Sequence, residues 1–136
     1  MKSLLNNTEI GKMTFPNGSI KHGEPIFNLK GSLQPGTYYS EIWINPGEAG
    51  MIYLKAFEEE KGTALSSRKL KKRTNEWVGW SNNPKELFFS NTPFSIYEGE
   101  IEKPYAARFE IWFRPDSGKA DRKLMEKVFE VEGWRR

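Results

Sequence analysis

Short segments of alternating apolar and polar residues, separated by turns with proline and glycine, constrain this chain more than any other feature. In residues 38–45, Tyr38, Ile42 and Ile44 fall on one face, whereas Tyr39 and Glu41 fall on the other. Pro-Gly pairs stand before this segment at positions 35 and 36 and after it at positions 46 and 47. A period of two between turn residues is the pattern of a strand with one buried face.

The same pattern predicts five further strands, at residues 27–33, 51–58, 94–97, 107–114 and 124–132. Residues 66–74 predict one short helix with serine as its N-cap. Residues 1–25 form a turn-rich N-terminal segment. Because no long helical pattern separates the strands, the chain is predicted to be all-β. We expect residues 1–136 to form a single antiparallel β-sandwich domain, immunoglobulin-like or jelly roll, with one short helix near 66–74.

Composition limits the class of protein. A chain of 136 residues can bury a core of its own, and an aromatic content of 14% excludes a disordered chain. The absence of cysteine excludes disulfides and thiolate sites. No apolar run approaches the ~20 residues needed to cross a bilayer, and the first residues lack a signal-peptide core. The sequence leaves two localisations open, a cytoplasmic protein or a domain cut from an exported one.

Residues 33–39 read Leu-Gln-Pro-Gly-Thr-Tyr-Tyr. They resemble the Leu-x-Pro-Gly-Thr-x-Tyr turn of fibronectin type III and related immunoglobulin-like sandwiches. In that family the tyrosine closes a corner by hydrogen-bonding to the upstream backbone. The resemblance covers these residues alone; it implies a β-sandwich and assigns the corner position to Tyr39.

Residues 74–84 hold the feature most relevant to binding, since two of the five tryptophans lie close together among turn-forming residues. A flat aromatic ring suits the apolar C–H face of a sugar, and nearby amides and carboxylates can bond its hydroxyls. The predicted carbohydrate site consists of Trp77, Trp80, Asn75, Asn82, Asn83 and Glu76. In the alternative interpretation these tryptophans, together with Trp43 and Trp112, belong to the core.

A basic patch precedes this site and consists of Arg68, Lys69, Lys71, Lys72 and Arg73. Such a patch can bind phosphate, a sulfated sugar or an acidic partner. In the alternative interpretation it is a solvated helix face that pairs in part with the glutamates at positions 58–60. A net charge of only +3 is weak for a nucleic-acid-binding domain, so we do not expect nucleic acid as the ligand.

No catalytic motif is present in the sequence. His22 is the only histidine, so a histidine triad or zinc site has no partners for it. Glu41 and Glu110, on predicted strands, are the candidates for a glycosidase pair, which needs carboxyls about 5 Å or about 6.5–9.5 Å apart. A further set alternates along one predicted strand face: Glu98, Glu100 and Glu102. We expect no catalytic residue, no metal site and no cofactor.

Together these observations predict a non-catalytic binding domain whose ligand is a carbohydrate. The alternative is a structural or protein–protein interaction module of a bacterial surface, a secreted complex or a phage assembly. A glycoside-acting enzyme using Glu41 and Glu110 is a third hypothesis. Single-stranded nucleic-acid binding by the basic patch beside the tryptophans ranks last.

Overall fold

The computed structural model describes residues 24–79, 81, 83 and 85–134. Its elements in chain order are β1 (Ile26–Gly31), β2 (Thr37–Ile44), β3 (Gly50–Glu58), α1 (Ser67–Thr74), β4 (Glu76–Val78), β5 (Phe88–Ser95), β6 (Tyr105–Pro115) and β7 (Arg122–Val131). The strands form two antiparallel sheets, ordered β1-β2-β5 and β4-β3-β6-β7. The prediction of an all-β sandwich with one short helix is confirmed.

The two sheets meet across a core of aromatic and aliphatic side chains. Phe27 of β1 packs edge to face on Phe129 of β7, with ring centroids 5.2 Å apart. Phe94 of β5 lies 5.9 Å from Phe109 of β6 in the opposite sheet. Such offset and edge contacts suit the ring quadrupole. The residues that alternate with these point away from the core, so each sheet has an outer face on which a site can form.

The alternation predicted for β2 is present, and it places Tyr38 and Tyr39 on opposite faces of the sheet. Tyr38 faces the core and is 1% exposed. Its Oη accepts a hydrogen bond from the backbone N–H of Glu132 at 2.8 Å and lies 3.3 Å from the carbonyl of the same residue. Tyr39 points to the outer face and is 38% exposed. The inward tyrosine therefore connects β2 to the buried residue that follows β7.

Helix α1 lies between β3 and β5, at one side of the sandwich, and packs Leu70 into the core. Thr74 accepts a hydrogen bond from the backbone N–H of Leu54 at 2.9 Å and donates to the carbonyl of Leu70 at 2.7 Å. Since β4 pairs only with the first part of β3, Thr74 satisfies an N–H group that lies beyond the end of β4. Before the helix, the Glu98 carboxylate accepts bonds from Ser66 N and Oγ at 2.8 and 2.9 Å.

Within the described ranges, no helix is both long and apolar enough to cross a bilayer. His22 and nearly all of the turn-rich segment 1–25 lie outside those ranges.

Most predicted strands are shifted by only one or two residues, but one strand is much longer than predicted and one is new. β5 begins at Phe88, well before the predicted start at residue 94, and it contains Pro93. Proline fits because β5 is an edge strand, and its open edge has no neighbouring strand that needs an N–H donor. β4 was not predicted, so Trp77 lies in a short strand and not in a loop.

The segment after β5 forms a turn. Gly99 and Glu102 have positive φ angles of 94° and 67°, which no strand residue adopts. Glu98 and Glu100 flank this glycine outside any strand. The prediction that the three glutamates share one strand face is therefore wrong. Glutamates at every second position can also occur in a turn, where the chain reverses its direction at a glycine.

Candidate functional site

Trp77 lies in the middle of β4, with its side chain on the outer face of the four-stranded sheet. It pairs with Met51 of β3, which pairs in turn with Arg114 of β6. The indole is 57% exposed, so a large part of an apolar ring is in contact with water. Because β4 is an edge strand, the ring lies at the margin of the sheet. We refer to Trp77, Met51, Arg114 and Asp116 as the Trp77 surface.

A hydrogen bond fixes the orientation of this indole. Nε1 of Trp77 donates to Oδ2 of Asp116 at 2.8 Å. Asp116 follows β6 directly, and its backbone N–H donates to the carbonyl of Ala49 at 3.0 Å. A Cβ at Gly79 would lie 3.3 Å from the indole Cη2, so the chain after β4 passes close to the ring. An aromatic group that is already oriented loses less conformational entropy when a ligand stacks on it.

Two further residues of the predicted carbohydrate site take different positions. Glu76 precedes Trp77 in β4 and points to the opposite face, where its carboxylate accepts a hydrogen bond from Ser90 of β5. Asn75 is exposed directly after the last residue of α1. The structure therefore leaves Asn75 accessible and directs Glu76 away from the Trp77 ring.

Asn83 takes part in holding its loop together. Its Oδ1 accepts a hydrogen bond from the N–H of Lys85 at 3.0 Å, as in an Asx turn. Its carbonyl lies 3.4 Å from Nδ2 of Asn45, and Nδ2 also donates to a second carbonyl of the same loop at 2.9 Å. Trp80 and Asn82 lie outside the described residues.

The basic patch is divided by α1. Lys69 and Arg73, four positions apart, line a cleft of about 130 Å³ over the three-stranded sheet. Arg68 and Lys71 line a second cleft of about 310 Å³ against β3. Lys72 is exposed and lines neither cleft.

Within the described part of the chain, no cation of the basic patch forms an ion pair. Glu59, one of the acidic residues expected to pair with the patch, lies 3.1 Å from Arg108 of β6 instead. The structure therefore does not support the interpretation of the patch as a helix face neutralised by the preceding glutamates.

Trp112, on the outer face of β6, has a different environment. Its Nε1 donates to Oε1 of Glu110 at 2.8 Å, and the ammonium of Lys55 lies 3.9 Å from the ring centroid. Oε2 of Glu110 accepts a hydrogen bond from Nε of Arg108 at 3.1 Å and lies 3.9 Å from Nζ of Lys123. Glu110 is only 6% exposed. We refer to these five residues as the ion network, in which the indole and the Glu110 carboxylate already contact neighbouring protein groups.

Tyr53 lies beside the ion network on the same face. Its Oη donates to Oδ2 of Asp121 at 2.5 Å, and the ammonium of Lys71 lies 4.7 Å from its ring centroid. Burial, followed by the hydrogen bond to Asp121, raises the pKa of Tyr53 to about 12. The same hydrogen bond lowers the pKa of Asp121.

Glu41 and Glu110 do not form a catalytic pair, which corrects that prediction. Glu41 belongs to β2 and Glu110 to β6, and both lie on outer faces of different sheets, with the core between them. The carboxylate of Glu41 lies 3.6 Å from Lys30 of the neighbouring strand. Alternation along a strand indicates which face a residue occupies, but not which sheet the strand joins.

Sequence reasoning missed three residues that shape the accessible surfaces. Asp116 orients Trp77, although only its place in a Pro-Asp-Ser-Gly turn distinguishes it in the sequence. Tyr39 and Tyr97 line the smaller cleft beside α1. The outward position of Tyr39 follows from the alternation of β2, whereas its proximity to α1 depends on tertiary structure.

Comparison of the chain with protein-family models, with curated proteins and with solved structures finds no match. The inference of function therefore depends on the chemistry of the surfaces themselves.

Proposed function

We propose that this protein is a non-catalytic binding domain that takes a carbohydrate on the Trp77 surface. One observation carries the proposal: the Trp77 indole is 57% exposed and is held by a 2.8 Å hydrogen bond to Asp116. A sugar ring presents an apolar C–H face that can stack on such an indole. The guanidinium of Arg114 supplies donors, and the carboxylate of Asp116 supplies acceptors, for hydroxyls at the edge of that sugar.

The engagement of the two candidate carboxylates supports binding over catalysis. Glu110 is bonded to Arg108 and Trp112, and Glu41 lies next to Lys30. A general acid must reach the substrate, whereas both of these carboxylates already contact protein groups.

Affinity electrophoresis in gels that contain a panel of neutral polysaccharides tests the proposal. We expect at least one polysaccharide to retard the protein. Trp77→Ala should weaken that interaction by about tenfold or more, which corresponds to about 1.4 kcal/mol. Phe89→Ala, which removes a 48% exposed ring from the other sheet, is the matched control and should leave the retardation unchanged. Absence of retardation for the folded protein on every polysaccharide would contradict the proposal, as would equal losses in the two variants.

A protein partner, with a second copy of this chain as the simplest case, is the second candidate. Phe89 favours it, because this exposed ring packs on Trp43 of the adjacent strand with centroids 4.3 Å apart. Aromatic clusters of this kind often form the centre of protein interfaces. Sedimentation velocity should then show concentration-dependent association that Phe89→Ala abolishes and Trp77→Ala does not. A protein that sediments as a monomer at all concentrations would exclude this self-association.

A further inference from the structure

The smaller cleft beside α1 is separate from the Trp77 surface and has its own chemistry. Its floor is the outer face of the three-stranded sheet, where Thr37 pairs with Ser95 and Tyr39 pairs with Pro93. The floor therefore presents hydroxyl groups and one aromatic side chain, and no carboxylate lines this cleft among the described residues. We refer to it as the helix cleft.

One wall of the helix cleft consists of Lys69 and Arg73. Residues four positions apart lie on the same side of a helix, so both cations face the cleft together. Tyr97 contributes to the lining, and the Lys69 ammonium lies 4.5 Å from its ring centroid. The backbone N–H of Tyr97 donates to Oγ of Ser66 at 3.1 Å, which ties this residue to the start of the helix. The cations are thus brought to one place by the fold.

The two cations of this wall are exposed. Neither Lys69 nor Arg73 forms an ion pair with any residue that the structure describes. Lys30, the cross-strand neighbour of Tyr39, pairs with Glu41 at 3.6 Å. The positive charges of Lys69 and Arg73 repel each other across the cleft. An anion placed between them is attracted by both and reduces this repulsion.

We propose that the helix cleft binds an oxyanion, the phosphate or sulfate group of a larger ligand, between Lys69 and Arg73. A guanidinium can donate two parallel hydrogen bonds to such a group, while an ammonium acts as a compact point charge. The cleft measures about 130 Å³, against the about 300–1,000 Å³ of sites that enclose a whole small molecule. The charged group therefore enters the cleft, and the rest of the ligand stays outside.

Titration of the ¹⁵N-labelled protein with glucose 6-phosphate and glucose 6-sulfate, followed by ¹H–¹⁵N NMR at constant ionic strength, tests this proposal. We expect saturable shifts confined to amides around the cleft, such as those of Thr37, Ser95 and Tyr97. Glucose alone should not produce them. The ester that binds with the higher affinity identifies whether the natural group is a phosphate or a sulfate.

Variants of α1 separate a built site from diffuse attraction. Combined Lys69→Ala and Arg73→Ala should weaken ester binding by about tenfold or more. Lys72→Ala is the control for each single substitution, because it removes one positive charge from the same helix but lines neither cleft. Arg68→Ala, which affects only the larger cleft, should also retain binding.

Two results would overturn the proposal. One is a folded protein that shows no saturable shift with either ester. The other is an equal loss of affinity in Lys72→Ala and in the double variant, since that would indicate a general response to helix charge. Trp77→Ala should leave ester binding intact, so failure of the carbohydrate proposal and failure of this one are distinguishable.

Discussion

On the outer face of the four-stranded sheet, the Lys55 ammonium lies 3.9 Å from the Trp112 ring centroid, and Glu110 bonds to the same indole. Beside α1, the Lys69 ammonium lies 4.5 Å from the Tyr97 ring centroid, and no described carboxylate pairs with it. The two regions use the same contact between a cation and an aromatic ring. They differ because only the first region contains a nearly buried carboxylate, that of Glu110.

We expect this difference to separate a structural role from the proposed binding role. In the ion network Glu110 accepts bonds from the groups around it, so the charges stabilise the sheet and have little capacity for a ligand. In the helix cleft the cations contribute little to folding and remain accessible. Substitutions in the first region should therefore lower stability, whereas substitutions in the second should lower binding alone.

The largest effect is expected from Glu110→Ala. It leaves the Nε–H of Arg108 and the Nε1–H of Trp112 without the Glu110 acceptor, while the Arg108 guanidinium keeps its bond to Glu59. Hydrogen bonds to charged groups contribute about 1.5–3 kcal/mol. Urea denaturation should show a loss of about 2–3 kcal/mol in the free energy of unfolding. Glu110→Gln, which keeps an acceptor, should lose less. Unchanged stability in the alanine variant would show that the network is not structural.

The next largest loss of stability is expected from Thr74→Val, because the Thr74 hydroxyl connects α1 to β3. The substitution leaves the buried N–H of Leu54 without an acceptor, at a cost of about 1–2 kcal/mol in stability. Thr74→Ser retains the hydroxyl and should remain close to the wild type in thermal unfolding. Because Thr74 positions the helix, the valine variant should also weaken ester binding in the helix cleft. Equal stability of the two variants would contradict this role.

A smaller effect is expected from the ionisation of Tyr53. Its pKa is about 12 in the folded protein against an ordinary value of 10, so the unfolded chain loses this proton first. Stability is complete below pH 10 and falls as the pH rises toward 12, by about 1 kcal/mol at pH 11. Tyr53→Phe should lose less stability than the wild type between pH 9 and pH 11 in urea denaturation. Parallel losses in the two proteins would show that Tyr53 is not the group responsible.

The smallest stability effect belongs to the helix cleft. Lys69→Ala and Arg73→Ala should each change the free energy of unfolding by less than about 0.5 kcal/mol, as is usual for exposed residues that form no ion pair. Differential scanning calorimetry measures this directly. A loss comparable to that of Glu110→Ala would remove the distinction between the two regions.

The sequence predicted the fold well where one face of a strand is consistently apolar. The alternation of Tyr38, Ile42 and Ile44 correctly identified β2 and its inner face. β5 was largely missed, because Pro93 interrupts the pattern and is tolerated only since β5 is an edge strand. Local patterns do not indicate which strands lie at edges.

The candidate site was less predictable, for a related reason. The exposure of Trp77 depends on β4 being an edge strand, and its orientation depends on Asp116, which is distant in the sequence. Likewise, the basic patch was evident, but its division into two clefts depends on how α1 packs between the sheets. Tertiary contacts of this kind leave no periodic signal.

The contact between Tyr38 and Glu132 has a consequence for folding in the cell. The two residues are 94 positions apart, and the contact between Phe27 and Phe129 likewise joins opposite ends of the described chain. Neither contact can form until β7 has left the ribosome, so the core cannot close during synthesis of the earlier strands. Folding dominated by such distant contacts is slow, on a scale of about milliseconds to seconds. The nascent chain therefore exposes its aromatic side chains throughout translation, which is the period when chaperones matter most.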